Sequence, residues 1–361
     1  MNREAINAFL RSARASSGLG AEPEPDAGAM RVDMTQVMAY RTNVQRLGQR
    51  LAHGEHVAAA YGGLQDSAPR AALYGLHARM HDVGPDDWEH ASLVQIWFRL
   101  GADYVIPRDS LDTFTVGTLP DDPEQIVALN ALGEVVREVV ANGPMRTRDV
   151  VAALGDRLPE HHAIRLAQVS GKIVIRWDAR TTEIIASDDP TTDPARARLD
   201  LARRFVHWFG PVGPMHLAKW AALPKAVALA AFDELELVAV DLGGRGRFVL
   251  ASDADALTSA SRVEGVRLLP GLGDPYLYLD HGQVPALPEV GPDMSQRLVN
   301  SLAGRILLDG ELVGAWGRVQ ANVTLFPWRA LSDDDRARVD TEAEKFAGPL
   351  GGKQARLRWL G

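Results

Sequence analysis

The sequence contains no cysteine among its 361 residues, which excludes disulfides and thiolate-ligated metal sites. It also has no run approaching the roughly 18 apolar residues of a membrane span, and its N-terminus lacks the continuous apolar stretch of a signal peptide. The hydrophobic content of 46% and charged content of 24% are typical of a soluble globular protein. We therefore expect a cytoplasmic protein.

The length and charge set the expected number of domains and the expected partner. A chain of 361 residues is too long for one ordinary core and predicts two to four domains. The formal net charge of −8 argues weakly against a nucleic-acid partner, although a local basic face is sufficient to bind one. Nearly all basic residues are arginine, which forks onto phosphate and stacks on bases, but genomic GC bias explains that preference equally well.

The N-terminal segment is predicted to be a flexible tail over residues 1–30. Its stretch from Gly18 to Gly28 is small, acidic and proline-containing, which is typical of disorder. Order is expected to begin near Val32.

Two stretches in the middle of the chain are built alike and predict an internal repeat. One contains "VVREVVANGPMRTRDVVAALG" and the other "LARRFVHWFGPVGPMHLAKWAAL". Each reads as helix, Gly-Pro break, two further helices and two strands joined by a turn. This order predicts winged helices, each a helix-turn-helix followed by a two-stranded wing, over residues 123–190 and 194–256.

Tandem winged helices usually contact nucleic acid, with a helix near a groove and the wing on the backbone, although some serve as protein-contact modules. The first copy has basic side chains that outnumber its acidic neighbours, so we expect it to bind phosphates. These candidate DNA-binding residues are Arg146, Arg148, Arg165, Lys172, Arg176 and Arg180.

Residues 262–361 are predicted to form a β-rich C-terminal domain. Asp309-Gly310 lies between two apolar runs and signals a hairpin. Trp316 and Arg318 share one face of the second strand because side chains alternate along a strand. Trp316 is either a core residue or an exposed aromatic that stacks on a nucleobase beside Arg318.

The stretch "YGGLQDSAPRAALYGLHARM" places Gln65, Asp66 and Ser67 at the start of a predicted helix. Asp66 or Ser67 is a suitable N-cap residue, and the alternative is that the three residues hold a water molecule and stabilise positive charge. On another face, Arg70, Tyr74, His77 and His81 recur at helical spacing, so this stripe is expected to face DNA or water.

These pieces, in this order, resemble the AlkZ/YcaQ family of bacterial winged-helix DNA glycosylases. The resemblance extends from about Thr35 to the C-terminus and rests on "TQVMAYR", "GLQDSAPRAAL", "YVIPRDSL", "LARRFVHWFGP", "DELELVAV", "RLLPGLGDPYL" and "DGELVGAWGR". It implies an α+β fold of tandem winged-helix units with the β-rich C-terminal domain, and a winged-helix-like N-terminal domain over residues 31–122.

The resemblance implies a DNA glycosylase that hydrolyses the N-glycosidic bond of N7-alkylated purines, including bulky adducts and crosslinks. The family's catalytic motif is Gln, any residue, then Gln or Asp. Here Gln65 matches its first position and Ser67 departs from its last, while the carboxylate of Asp66 stands one residue early. Where family members often have a His in an Arg-Gly-Thr-x-His pattern, this chain has Tyr104, which can hydrogen-bond or stack in its place.

The implied chemistry assigns catalytic roles to the three motif residues. Gln65 orients a water, Asp66 acts as base or charge stabiliser, and Ser67 supports them or caps the helix. No lysine lies near the motif to form a Schiff base, so we expect a monofunctional enzyme. His77 and His81 have helix metal-ligand spacing but lack the Glu of a His-Glu-x-x-His motif, and we predict no metal or cofactor.

The expected partner is double-stranded DNA with alkylated bases, bound by a monomer that works in base excision repair or genotoxin resistance. The alternatives are a non-catalytic winged-helix DNA-binding protein, either a regulator or a damage sensor, and a protein-interaction scaffold. Release of a base from alkylated DNA distinguishes the enzyme from both.

Overall fold

The computed structural model describes residues 2–15, 23–158, 161–271, 274–277 and 304–360. Its helices are α1 (Arg3–Ala15), α2 (Met34–Val44), α3 (His56–Ala59), α4 (Ala71–Arg79), α5 (Leu111–Phe114), α6 (Pro123–Val139), α7 (Thr147–Leu154), α8 (Pro194–Phe209), α9 (Pro214–Ala221), α10 (Lys225–Asp233), α11 (Ala254–Thr258) and α12 (Asp333–Glu344). Among these described helices, none has both the length and the apolar character needed to cross a bilayer.

The strands are β1 (Met30–Val32), β2 (Leu64–Gln65), β3 (Leu93–Phe98), β4 (Ala102–Pro107), β5 (Met145–Arg146), β6 (Ile173–Trp177), β7 (Thr182–Ala186), β8 (Leu237–Leu242), β9 (Gly246–Leu250), β10 (Val266–Leu269), β11 (Gly304–Leu308), β12 (Glu311–Val319), β13 (Asn322–Pro327) and β14 (Arg356–Trp359). Helices and strands both contribute to the architecture, which confirms the α+β prediction.

The chain forms two compact units. Unit 1 combines Met1–Asp33 with Val94–Asp255, and unit 2 combines Met34–Leu93 with Ala256–Gly361. The expected domain over residues 31–122 is therefore not one unit, and this boundary is corrected. The physical reason is that β3 pairs with β6 of the first repeat, whereas Leu47 and Ala78 pack against residues of the C-terminal sheet.

The first repeat in unit 1 has the predicted order of elements. Asp122 accepts hydrogen bonds from the N–H groups of Glu124 and Gln125 and so caps α6, which begins with a proline. Strands β6 and β7 form the wing as an antiparallel pair. The third helix of this copy is a 3₁₀ segment, His161–Ser170.

The turn of this wing is held by Asp178. Its carboxylate accepts hydrogen bonds from the backbone N–H groups of Arg180 and Thr181. These bonds hold the pKa of Asp178 below its usual value. The wing tip therefore has a defined backbone conformation.

The second repeat contains α8, α9, α10 and a wing formed by β8 and β9. Asp193 caps α8, and Phe205, Phe209 and Trp220 pack their rings against one another in its core. Both repeats in unit 1 therefore contain the helices and the antiparallel strand pair that the sequence predicts.

The predicted flexible tail is wrong for most of its described length. Residues Arg3–Ala15 form α1, whose buried Ile6, Phe9 and Leu10 join the core cluster that contains α6 residues. Strand β1 pairs in parallel with β8 of the second wing. The apolar spacing of i, i+3 and i+4 accounts for the helix, since it gives α1 one face to bury. Residues 16–22 lie outside the described chain.

Unit 2 is built on a sheet with the strand order β10-β11-β12-β13-β14. Neighbouring strands are antiparallel up to β13, and β14 pairs with β13 in parallel. Asp309 and Gly310 have positive φ values of 49° and 79°, so the predicted hairpin between β11 and β12 is confirmed. Of the expected C-terminal domain, residues 272–273 and 278–303 lie outside the described chain.

Candidate active site

The motif residues of unit 2 connect β2 to α4. Gln65 ends the strand, and the helix begins at Ala71, four residues after Ser67 and three residues after the predicted start. Arg70 occupies the N-cap position with a φ of 65°, and its own side chain makes no capping hydrogen bond. The helix N-terminus therefore needs an acceptor from elsewhere.

Asp66 supplies that acceptor. Its Oδ1 accepts a hydrogen bond of 2.9 Å from the backbone N–H of Ala72, and its Oδ2 lies 3.6 Å from the guanidinium of Arg70. Asp66 is fully buried, with 0% of its surface exposed. The geometry supports the capping interpretation of Asp66, because a general base needs access to the water it deprotonates.

Arg70 is fixed on two sides. Besides its contact with Asp66, the guanidinium carbon of Arg70 lies 3.6 Å from the ring centroid of Trp88, a cation–π contact that no sequence pattern predicts. The guanidinium therefore supports the loop, and the contact of Arg70 with DNA stays a prediction.

Gln65 and Ser67 form a side-chain pair next to this cap. The amide nitrogen of Gln65 donates a 3.2 Å hydrogen bond to the hydroxyl oxygen of Ser67. Both residues are half-buried, unlike Asp66 between them. The hydroxyl of Ser67 therefore orients the amide of Gln65 at the surface of unit 2.

The helical stripe predicted to face DNA or water is largely buried. Tyr74 and His77 both contact the ring of Phe346, and only 5% of His77 is exposed. Neither ring nitrogen of His77 has a hydrogen-bond partner among the described residues. Burial, aided by the positive charge of Arg50, lowers the pKa of His77 to about 3, so the ring is neutral. The prediction that His77 contacts DNA is therefore corrected.

A cavity of about 300 Å³ lies beside the start of α4, within unit 2. Trp316 forms part of its wall, and the indole N–H of Trp316 donates a 2.8 Å hydrogen bond to the carbonyl of Leu269. Trp316 is 5% exposed and belongs to the core cluster of unit 2, which favours the core interpretation, and its remaining exposed surface lines the cavity. The guanidinium carbon of Arg318 lies 4.8 Å from the ring centroid of Tyr74, and both side chains also line the cavity.

Two residues of unit 1 that are predicted to contact DNA instead make contacts within the unit. Tyr104 is buried against Phe98 with their ring centroids 5.2 Å apart, so it cannot stack on a base. The ammonium of Lys172 lies 2.7 Å from Glu134 and 2.8 Å from Asp189. Those carboxylates raise the pKa of Lys172 and neutralise its field, which corrects both predictions.

The other predicted phosphate contacts of the first repeat are on the surface. Arg165 donates a 3.2 Å hydrogen bond to the carbonyl of Gly101, and Arg148 pairs with Asp149 at 3.2 Å, a weak surface pair. The predicted contacts that are exposed are Arg146, Arg148, Arg165, Arg176 and Arg180. Within the described part of the chain, no group of three or more His, Asp or Glu side chains is arranged to hold a metal ion.

The fold of the chain is similar to that of a protein of known structure. The structure superposes on the DNA glycosylase AlkZ of Streptomyces sahachiroi with a TM-score of 0.72, covering 92% of this chain and 100% of that one at 18% identity. No curated protein sequence matches the chain. The chain thus shares the fold of that protein.

The family follows from the sequence itself. The profile described as DNA glycosylase AlkZ-like matches residues 58–348, a range that includes the Gln65 motif, both winged helices and most of the C-terminal sheet. The chain belongs to the AlkZ-like DNA glycosylase family and is a DNA glycosylase, an enzyme of DNA repair.

Proposed function

We propose that this DNA glycosylase hydrolyses the N-glycosidic bond of N7-alkylated purines in double-stranded DNA and leaves an intact abasic site. The observation that carries the proposal is the position of Gln65. Its half-buried amide is oriented by Ser67 at the first position of the family's catalytic motif.

Hydrolysis of an N7-alkylated purine nucleotide needs few catalytic groups, which fits a site built on Gln65 and Ser67. The base already carries a positive charge, so it leaves without much acid assistance. The enzyme needs to place a water beneath the sugar and to stabilise its developing positive charge. An amide suits the first task because its oxygen accepts a hydrogen bond from water while its nitrogen is held by Ser67.

Asp66 has a positioning role in this proposal. Its carboxylate accepts a hydrogen bond from the first turn of α4 and contacts the guanidinium of Arg70. These two contacts fix the backbone of Asp66, and therefore the positions of its neighbours Gln65 and Ser67. The departure of Ser67 from the family pattern leaves catalysis to Gln65, with Ser67 orienting the amide.

A monofunctional mechanism fits the described lysines of unit 2. Schiff-base chemistry requires a deprotonated amine, and the ammonium of Lys345 lies 3.1 Å from the carboxylate of Glu342. Lys353 is exposed on a C-terminal turn. We propose that a monomer binds DNA through the five exposed arginines that were predicted as phosphate contacts of the first repeat, and acts in the compartment that holds the chromosome.

The test measures base release from a duplex with one N7-methylguanine, scored as alkali-cleavable abasic sites under single-turnover conditions. Loss of the water-orienting amide in Gln65→Ala is expected to slow release by about 10²–10³-fold, the range for removing one preorganised polar group. Gln354→Ala is the matched control, because Gln354 is an exposed glutamine of the same unit.

Equal rates for Gln65→Ala and wild type refute the role of Gln65. Failure of the wild type to release N7-methylguanine, with release of a bulky N7-guanine adduct or crosslink, restricts the substrate to large lesions. Failure on every N7-alkylated duplex refutes the substrate class. A covalent adduct trapped by borohydride contradicts the monofunctional mechanism.

A further inference from the structure

The cavity beside α4 has the size of a small-molecule site. Its volume of about 300 Å³ lies at the lower end of the range for ligand pockets. All of its lining residues belong to unit 2, and they include Ala68, Pro69, Tyr74, Trp316 and Arg318. A flat heterocycle is of the size that such a space accommodates.

The walls have a chemistry that suits a purine. Trp316 is locked by its hydrogen bond to Leu269, and its ring packs against Tyr74 with centroids 5.7 Å apart. Burial raises the pKa of Tyr74, and the nearby positive charge of Arg318 opposes that rise. The cavity therefore combines fixed aromatic surface with one guanidinium donor, the pair of features that binds bases by stacking and by hydrogen bonds to acceptor edges.

The cavity also lies close to the motif. Ala68 lines it and stands three residues after Gln65, so the two Cα atoms are separated by at most about 10 Å of extended chain. A purine in the cavity thus keeps its sugar within reach of a water oriented by Gln65.

We propose that this cavity receives the N7-alkylated guanine turned out of the duplex, with the guanidinium of Arg318 donating to its O6, because the alkylated N7 accepts no hydrogen bond. This inference rests on the proposed function and adds the site for the base. A base that stays stacked in the duplex has no need of the cavity.

Arg318 acts on the departing base. Water oxygen bonds to C1′ of the sugar, the bond from C1′ to N9 breaks, and its electron pair moves to N9. That pair neutralises the cationic purine, and one proton of the water passes to solvent. The guanidinium repels the cationic base before the reaction and no longer repels it afterwards. This difference favours the transition state over the bound lesion.

The first test uses the free base, so it does not depend on turnover. Equilibrium dialysis of 7-methylguanine against the full-length protein is expected to show saturable binding. Ala68→Phe fills the cavity and Arg318→Gln removes its donor, and each is expected to weaken binding at least tenfold. Arg356→Gln is the matched control, because Arg356 is an exposed arginine of the same sheet that does not line the cavity.

The second test separates binding of the lesion from its chemistry. Arg318→Gln is expected to slow single-turnover release of N7-methylguanine at least tenfold while the Kd for the lesion duplex changes less than threefold. A merely structural role of Arg318 would instead lower the unfolding temperature or weaken DNA binding. Equal loss of rate and of DNA affinity overturns the assigned role.

The outcomes distinguish this inference from the proposed function. Base release that depends on Gln65 but is unchanged in Ala68→Phe overturns the cavity and leaves the function intact. Absence of saturable 7-methylguanine binding to the wild type also overturns the cavity. Binding that Ala68→Phe abolishes, without release from any N7-alkylated duplex, supports the cavity and refutes the reaction.

Discussion

The carboxylate of Asp66 holds the N-terminus of α4, and an amide at the same position can accept the same hydrogen bond from Ala72. We therefore expect Asp66→Asn to keep the free energy of unfolding within about 1 kcal/mol of wild type, whereas Asp66→Ala loses about 1–2 kcal/mol, as for other helix caps. Base release by Asp66→Asn should stay within about threefold. Denaturant unfolding and single-turnover assays measure the two quantities.

Asparagine is the informative variant because it can cap a helix but cannot accept a proton as a base. A drop of about 100-fold in base release by Asp66→Asn, with unchanged stability, would restore Asp66 as the catalytic base. Ser332→Ala is a control for capping, because Ser332 caps α12 in the same unit through a 3.1 Å hydrogen bond from Asp335.

His77 gives unit 2 a pH-dependent stability. Its pKa is about 3 in the folded chain and about 6.5 in an unfolded one, so below pH 6.5 the unfolded state binds more protons. This contribution to stability is complete above pH 6.5 and falls as the pH drops towards 3. At pH 5 the expected loss is about 2 kcal/mol.

His77→Leu removes the titrating ring from this site and keeps an apolar side chain. Between pH 7 and pH 5, the free energy of unfolding should fall about 2 kcal/mol less in His77→Leu than in wild type. His81→Leu serves as the control, since His81 is exposed. Parallel pH curves for wild type and His77→Leu would show that His77 is protonated in the folded protein.

The elements that follow local rules could be predicted from the sequence. The Gly-Pro breaks, the alternating strands and the Asp309-Gly310 hairpin gave both winged helices and the β-rich region. The candidate catalytic loop is recognisable in sequence by its motif, which begins at Gln65. Composition does not predict helix α1, because the acidic, proline-containing residues after it dominate the composition of the segment. The signal that indicates the helix is the spacing of Ile6, Phe9 and Leu10, which form its apolar face.

Contacts between distant residues could not be predicted. The stripe of Arg70, Tyr74 and His77 looks polar in sequence, yet Trp88 and Phe346 cover it. Neither Trp88 nor Phe346 lies at a sequence separation from α4 that predicts a contact with it. The division of residues 31–122 between two units has the same origin, since strand pairing over long separations decides it.

The whole molecule carries a net charge of −8, so DNA binding has to depend on where its arginines stand. Arg180 is exposed in the wing turn of the first repeat, whereas Lys172 of the same repeat is paired with Glu134 and Asp189. Arg180→Gln and Lys172→Gln change the net charge equally. Any difference between them reports local contact rather than overall charge.

Arg180→Gln should weaken binding to an undamaged duplex and reduce the slope of log K against log salt concentration by about 1, the effect of one lost phosphate contact. Lys172→Gln should leave that slope within about 0.3, because the ammonium already has two carboxylate partners and releases no counterion from DNA. Fluorescence anisotropy between 50 and 200 mM salt, about the range over which such slopes develop, measures both. Equal slopes for the two variants would mean that the protein binds DNA through its general field and not through this wing.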